Sequence, residues 1–285
     1  MEMQRRDFLK FAGAMTFTLA AGPAWAQSAK VEVQWLGQSA TKITTLTGKV
    51  IVIDPWLTTN PKTPPQHKNL DALGNVDMIL VTHAHGDHLG TVGRTDGSSD
   101  VADLAKRTGA KVLGSTTLIR MLVEIGWVPA AQGVGFAKSG KVQPAGPQIT
   151  VTQVRAEHFS DLTLIDPATK KSTTYTAGEP VGYIVELENG FKLYHMGDTG
   201  LFGDMKLIGD YYKPDLIMIP IGGHFGMDPK DAAYATKEML KPKYAIPVHY
   251  ATFPVLRGTP QEYQAALGQT ATQVSPISPG DKVTF

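Results

Sequence analysis

With 285 residues, 27 basic against 26 acidic side chains and 42% hydrophobic content, the chain has the size and balance of one loop-rich α/β domain with a sizeable core. It contains no cysteine, which excludes thiolate metal ligands, a cysteine nucleophile, disulfides and a lipoprotein anchor.

The N-terminus reads as an export signal. Arg5-Arg6-Asp7-Phe8-Leu9-Lys10 has the twin-arginine pattern, Phe11 to Gly22 is mildly apolar, and Ala24-Trp25-Ala26 is a small-x-small cleavage pattern ahead of Gln27. The expected products are a signal peptide over residues 1–26 and a domain over residues 27–285, delivered to the periplasm by the twin-arginine export machinery. The apolar run falls short of the roughly 20 residues a membrane span needs, so no stable membrane anchor is expected. Removing the signal takes away three basic and two acidic side chains and leaves the remainder formally neutral. A neutral surface has no general attraction for polyanions, and no nucleic-acid partner is expected.

From Lys30 onward short strand-like runs alternate with helical ones. Val31 to Leu36, Thr41 to Thr45 and Val50 to Ile53 predict an antiparallel meander, and Val76 to Thr82 a buried strand. Val101 to Thr108 and Thr116 to Ile125 predict helices around a strand at Lys111 to Gly114, and the Gly/Pro-rich stretch from Gly133 to Gln148 predicts a loop. Asp161 to Pro180 is long and polar and predicts a hairpin or flap; Trp56 to Leu70 is stiffened by proline. Asn189-Gly190 marks a hairpin between strands Gly182 to Leu187 and Phe191 to Met196. Leu201 to Tyr211 reads as a helix and Leu216 to Pro220 as a strand. Asp228 is the expected N-cap, with Pro229 at the first position, of a helix running through Leu240, and Pro260 to Leu267 predicts a last one.

The chemistry concentrates in Thr82-His83-Ala84-His85-Gly86-Asp87-His88, where three imidazoles and a carboxylate leave the end of a buried strand and Gly86 is expected to let the chain bend. His83 and His85 project to one side of extended backbone. Imidazole nitrogen and carboxylate oxygen are the ligands that zinc, manganese and iron accept in hydrolytic sites. Three further ligand-type residues, His158, Asp198 and His249, each follow a short apolar strand, the usual way a sheet places a site on rigid elements.

These residues, with Asp54-Pro55-Trp56-Leu57-Thr58-Thr59-Asn60-Pro61, Glu157-His158, Gly197-Asp198-Thr199, Ile221-Gly222-Gly223-His224-Phe225 and Pro247-Val248-His249-Tyr250, make the chain resemble a metallo-β-lactamase-fold hydrolase. Within that superfamily it is most similar to the ascorbate-phosphate lactonase-like branch. The resemblance implies a four-layer αββα sandwich and two divalent metal ions, zinc foremost, with manganese or iron as alternatives. It implies that His83, His85 and His158 hold the first ion, that Asp87, His88 and His249 hold the second, and that Asp198 bridges them.

Such a pair of cations implies a bridging water that ionises near neutral pH and attacks an ester, lactone or phosphoester, with lactone or carboxyl ester favoured by the resemblance. Asp87 is then the candidate to orient the nucleophile, and His224 to hydrogen-bond the developing oxyanion. His224 reads alternatively as a packed structural histidine. His195 reads as support behind the ligands or as core packing, Asp54 as the carboxylate behind a ligand histidine or as a turn cap, and His67 as a solvated loop residue or a substrate contact. The competing readings are a non-catalytic periplasmic metal-binding protein and a phosphodiesterase or nuclease of the same fold.

Overall fold

The computed structural model describes residues 30–285, and the export signal expected over residues 1–26 lies outside them. The chain opens with the predicted antiparallel meander, β1 (Glu32–Gly37), β2 (Ala40–Thr44) and β3 (Val50–Ile53). Strands β4 (Met78–Leu80), β5 (Lys111–Ser115) and β6 (Gly133–Phe136) add in parallel. Between them lie the single helical turn α1 (Gly86–Leu89), then α2 (Asp100–Thr108) and α3 (Thr116–Glu124). Next come β7 (Lys141–Val142), β8 (Thr150–Arg155), the hairpin of β9 (Asp161–Ile165) and β10 (Ser172–Thr176), β11 (Val181–Glu186) and β12 (Lys192–His195). Helix α4 (Met205–Tyr212) leads from β12 to β13 (Leu216–Pro220), and α5 (Pro229–Tyr234) and α6 (Pro260–Leu267) precede β14 (Tyr244–Val248) and β15 (Gln273–Val274), with β12 to β15 all parallel. Strand β16 (Lys282–Thr284) returns to pair with β1.

The strands form two seven-stranded sheets, ordered β16-β1-β2-β3-β4-β5-β6 and β15-β14-β13-β12-β11-β8-β7. Strand alternation sorts their side chains into three apolar layers. Met78 and Leu80 of β4 point between the sheets, among Ile51, Tyr183, Met218 and Ile246. Ile79 and Val81 point the other way, onto Leu104 of α2 and Leu118 and Leu122 of α3. On the far side Ile217 and Ile219 meet Ile208 of α4, Ala232 of α5 and Tyr263 of α6. This is the αββα sandwich. No helix among the described residues is long and apolar enough to cross a membrane.

Three segments differ from expectation. Gly133 to Gln148 is not all loop: β6 and β7 lie within it, and both are short edge strands whose pairing comes from β5 and β8 rather than from a pattern of their own. The helix expected from Leu201 begins at Met205. The helix capped by Asp228, whose side chain accepts from the Lys230 and Asp231 amides, passes into a π-helical stretch over Ala235–Leu240. There the Thr236 hydroxyl takes the Ala232 carbonyl, and the Lys241 amide reaches back five residues to Thr236.

Candidate metal centre

The sheets bring the carboxyl ends of β3, β4, β8, β12 and β14 to one edge, and each candidate ligand leaves one of those ends. Strand β4 continues through Thr82 to His83 and His85, and α1 carries Asp87 and His88 in its one turn. Gly86 does not bend the chain through a left-handed conformation; it is helical, and its need is for space, since a Cβ there would lie 2.5 Å from Thr91 Oγ1. Gly197 answers to both constraints. Its φ is +61°, and a Cβ would lie 2.8 Å from Thr82 Cβ, the contact that sets the Asp198 turn against the His83 strand end.

All seven expected ligands converge, in two groups. The ligand atoms of His83, His85 and His158 lie within 4.8 Å of one another, as do those of Asp87, His88, Asp198 and His249. In the first group His85 Nδ1 is 2.9 Å from His83 Nε2 and 3.3 Å from His158 Nε2. Asp198 Oδ2 stands between the groups. It lies 3.9 and 3.8 Å from the Nε2 atoms of His83 and His158, and 3.3 and 2.9 Å from those of His88 and His249. Asp87 Oδ2 is 3.6 and 3.5 Å from the latter two.

The donor set fits divalent cations. Asp198 Oδ1 and His88 Nε2 are buried without a hydrogen-bond partner, a cost that coordination removes. Three imidazole nitrogens that face one another cannot all be satisfied by a shared proton, whereas a cation among them accepts every lone pair.

Without a metal, the charges settle in a defined pattern. Burial depresses His83 and takes His85 down to about 4, helped in both by the positive charge of His88. Burial pushes His88 and His249 the same way, yet the carboxylates beside them outweigh it. Asp198, Asp54 and Asp87 raise His88 well above the usual histidine range, and Asp198 and Asp87 bring His249 up to about 9. Burial would raise Asp87 and Asp198, but His88 and His249 hold Asp87 at about 2 and Asp198 well below its normal range.

The sign of the pH dependence follows. A histidine whose pKa rises from the unfolded value of about 6.5 to about 9 stabilises the metal-free fold fully below the former and loses that contribution as pH rises through the latter. The metal-free protein is therefore expected to lose melting temperature between pH 6.5 and 9, and the metal-loaded protein much less. Calorimetry at pH 7.5 in buffers of different ionisation enthalpy should show on the order of two protons released on loading. Loading without proton release contradicts this charge pattern.

Behind the ligands lies a network that fixes ring orientation. Asp54, fully buried at a left-handed φ of +49°, accepts from His88 Nδ1 at 2.8 Å and from the Thr82 amide and hydroxyl at 2.8 and 2.7 Å. It is thus the carboxylate behind a histidine, and it leaves His88 Nε2 facing the cluster. The Thr82 hydroxyl also lies 3.0 Å from His83 Nδ1. His195 is buried behind the site, with Nε2 on the Ser39 carbonyl at 2.9 Å and Nδ1 accepting from the Gly197 amide at 3.2 Å, so it ties the Asp198 turn to the β1–β2 turn.

Gln38 is the residue that sequence reasoning misses. Buried at φ +51° in the β1–β2 turn, it donates from Nε2 to Asp87 Oδ2 at 2.7 Å and lies 2.8 Å from His249 Nε2. Its carbonyl accepts from Trp35 Nε1 and from the His249 amide, which locks the turn to the end of β14. Glutamine in a Gly-Gln-Ser turn carries no signal of its own; only the fold places it here. Gln38→Leu, which keeps the volume and removes the amide, is expected to weaken metal uptake about tenfold with the fold retained, read by calorimetric titration. Unchanged affinity would make Gln38 mere packing.

The cluster opens into a cleft of about 430 Å³ floored by His85, Asp87, His158, Asp198 and His249 and walled by Phe159, Phe225, Phe253 and Val255. His224 does not line it. Exposed at φ +61°, it faces an adjoining pocket of about 550 Å³ with Asp228 and Arg257, which meets the cleft at Val255. His67 lies elsewhere, with Nε2 3.4 Å from Gln34. The hairpin β9–β10 walls a separate cleft with Trp127, while the Pro-stiffened loop contributes Trp56, stacked 5.6 Å from Phe253.

Comparison with known proteins agrees with this geometry. The β-lactamase superfamily domain matches residues 49–250. A UPF0173 metal-dependent hydrolase of Cupriavidus necator is 58% identical over 258 residues, covering 90% of this chain and 86% of that one. Another from Roseiflexus castenholzii is 39% identical, covering 88% and 96%. Among solved structures the metallo hydrolase Igni18 of Ignicoccus hospitalis superposes with a TM-score of 0.73 at 32% identity, covering 90% of this chain and 98% of that one. The chain therefore belongs to the UPF0173 family of metal-dependent hydrolases, enzymes of the metallo-β-lactamase fold.

Proposed function

We propose that the protein is an exported hydrolase of an ester, lactone or phosphoester that works with two divalent cations, zinc foremost. In this reading His83, His85 and His158 hold one cation, Asp87, His88 and His249 the other, and Asp198 touches both. The observation that carries it is the position of Asp198 Oδ2, within 4 Å of four imidazoles drawn from both groups. Bound cations would supply Lewis acidity and lower the pKa of water held between them.

The chain's own residues do the rest. Asp54 and Thr82 fix the rings of His88 and His83, so the ligands need no rearrangement during turnover. Asp87, whose carboxylate faces the cleft and stays ionised, accepts a hydrogen bond from the attacking water and holds it in line. That water adds to the acyl carbon or phosphorus, the bond to the leaving alkoxide breaks, and the water's proton ends on the alkoxide. His224, turned into the adjoining pocket, is placed to meet only a part of the substrate that reaches past Val255, and not the oxygen that gains charge over the cluster. Carboxyl ester or lactone is favoured over phosphoester, because among the described residues no Lys or Arg lines the cleft itself.

The test is a hydrolysis screen on protein of known metal content, with His85→Ala alongside. Turnover that rises with metal content and falls at least a hundredfold in the variant supports the reading; full activity in the variant, or binding without turnover, ends it. Periplasmic delivery rests on Arg5 and Arg6. Replacing both by lysine should leave the protein in the cytoplasm on fractionation, and undiminished periplasmic protein would refute the route.

A further inference from the structure

The walls of the metal cleft have a chemistry of their own. Phe159 and Phe225 are 53% and 46% exposed, and Val255 is 39% exposed, unusual for large apolar side chains. They are not scattered: all three line the one cleft that opens over the ligand cluster, and Phe253 completes the wall. The Phe159 ring packs against two of the imidazoles, with centroids 4.4 Å from His85 and 4.6 Å from His158. Phe253 is backed by Trp56 at 5.6 Å with the rings 9° from parallel, so that wall is braced from behind. A group attached to an acyl carbon held over the cluster meets these rings as the cleft's apolar walls.

Charge points the same way. Among the described residues, the side chains lining the cleft include no Lys or Arg, and its charged groups are the ligand-type carboxylates and imidazoles of the cluster. The adjoining pocket beyond Val255 carries Arg257, which shares its walls with Asp228 and Glu262. Those two carboxylates are already engaged by the backbone turns they cap. An anionic substituent lying on the walls, away from the cluster, would leave water for aromatic carbon with no cationic side chain on those walls to meet it, a costly transfer.

We infer that the substrate is an uncharged ester or lactone whose acyl part carries an alkyl chain or an aryl ring, which lies on Phe159, Phe225 and Phe253 while the scissile group sits over the His/Asp cluster. This rests on the hydrolase reading above and narrows its substrate. Sugar-phosphate esters and phosphorylated lactones fit the walls poorly. A cleft of about 430 Å³ holds a medium-length chain or a single ring and not a macromolecule.

A series of γ-lactones with unbranched side chains of zero to six carbons, measured on the zinc-loaded protein, tests this. kcat/KM should rise about threefold for each added methylene until the cleft is full. Phe159→Ala and Phe225→Ala should each shrink the ratio of long-chain to short-chain kcat/KM by about tenfold, whereas Leu207→Ala, on the exposed face of α4, should leave that ratio intact. A flat series, or preference for an analogue ending in carboxylate or phosphate that is lost in Arg257→Ala, overturns the inference while leaving the hydrolase reading standing. If no lactone, ester or phosphoester is turned over, the proposed activity fails, and affinity of the loaded protein for acetate, hexanoate and phenylacetate still decides the cleft. Hexanoate and phenylacetate binding at least tenfold more tightly than acetate supports apolar recognition, and equal affinities overturn it.

Discussion

Asp198→Ala is expected to lower kcat/KM about a thousandfold or more and to strip metal from the protein, with the fold retained. One oxygen of this carboxylate lies within 4 Å of His83, His88, His158 and His249, so its loss removes the contact shared by both groups. In the proposed two-cation site, loss of the one charged ligand common to both would amount to several kcal/mol of the stabilisation they provide, and each 1.4 kcal/mol, approximately, is a factor of ten in rate. The backbone around it should survive, because Gly197 and Thr199 are held independently: the Gly197 amide bonds His195, and the Thr199 hydroxyl accepts from the Glu157 amide. Elemental analysis of the purified variant beside its kinetics checks this. A variant with full metal and full rate would show that Asp198 is a bystander.

The second large effect is expected at Asp54, which touches no part of the cleft. Asp54→Ala removes the acceptor for His88 Nδ1, the Thr82 amide and the Thr82 hydroxyl, all in fully buried surroundings. Leaving a buried histidine and a buried amide unpartnered costs about 3–5 kcal/mol, or a drop in melting temperature on the order of 10 °C for a chain of this size. Metal affinity should also fall by about 10–100-fold, since nothing then directs His88 Nε2 into the cluster. Asp54→Asn keeps one acceptor oxygen and should lie between wild type and alanine in both measurements. If the alanine variant melts normally and binds metal normally, the network behind the ligands has no function.

The candidate ligands are legible in the sequence because each advertises itself locally. His83, His85, Asp87 and His88 are adjacent along the chain, and His158, Asp198 and His249 each sit where an apolar strand run stops. A sheet-based fold makes strand ends meet, so local pattern and global position coincide there. Gln38, Phe159 and Phe253 have no such marker. Gln38 reaches the site because β1 and β2 turn beneath the end of β14, a contact between residues 211 apart in the chain. The phenylalanines look like core residues until their exposure is known, and Phe225, not its neighbour His224, faces the cleft. Asp54 stayed ambiguous for the same reason: a carboxylate before proline caps turns routinely, and only its 2.8 Å contact with His88 decides its role. The two edge strands within Gly133 to Gln148 were hidden because their pairing partners, not their composition, make them strands.

The proposed pairing of two cations across Asp198 is tested most directly by anomalous diffraction at the zinc edge from crystals of zinc-loaded protein. Two peaks are expected, one bounded by His83, His85 and His158 and the other by Asp87, His88 and His249, with the Asp198 carboxylate contacting both. A single peak, or peaks remote from Asp198, would contradict the account.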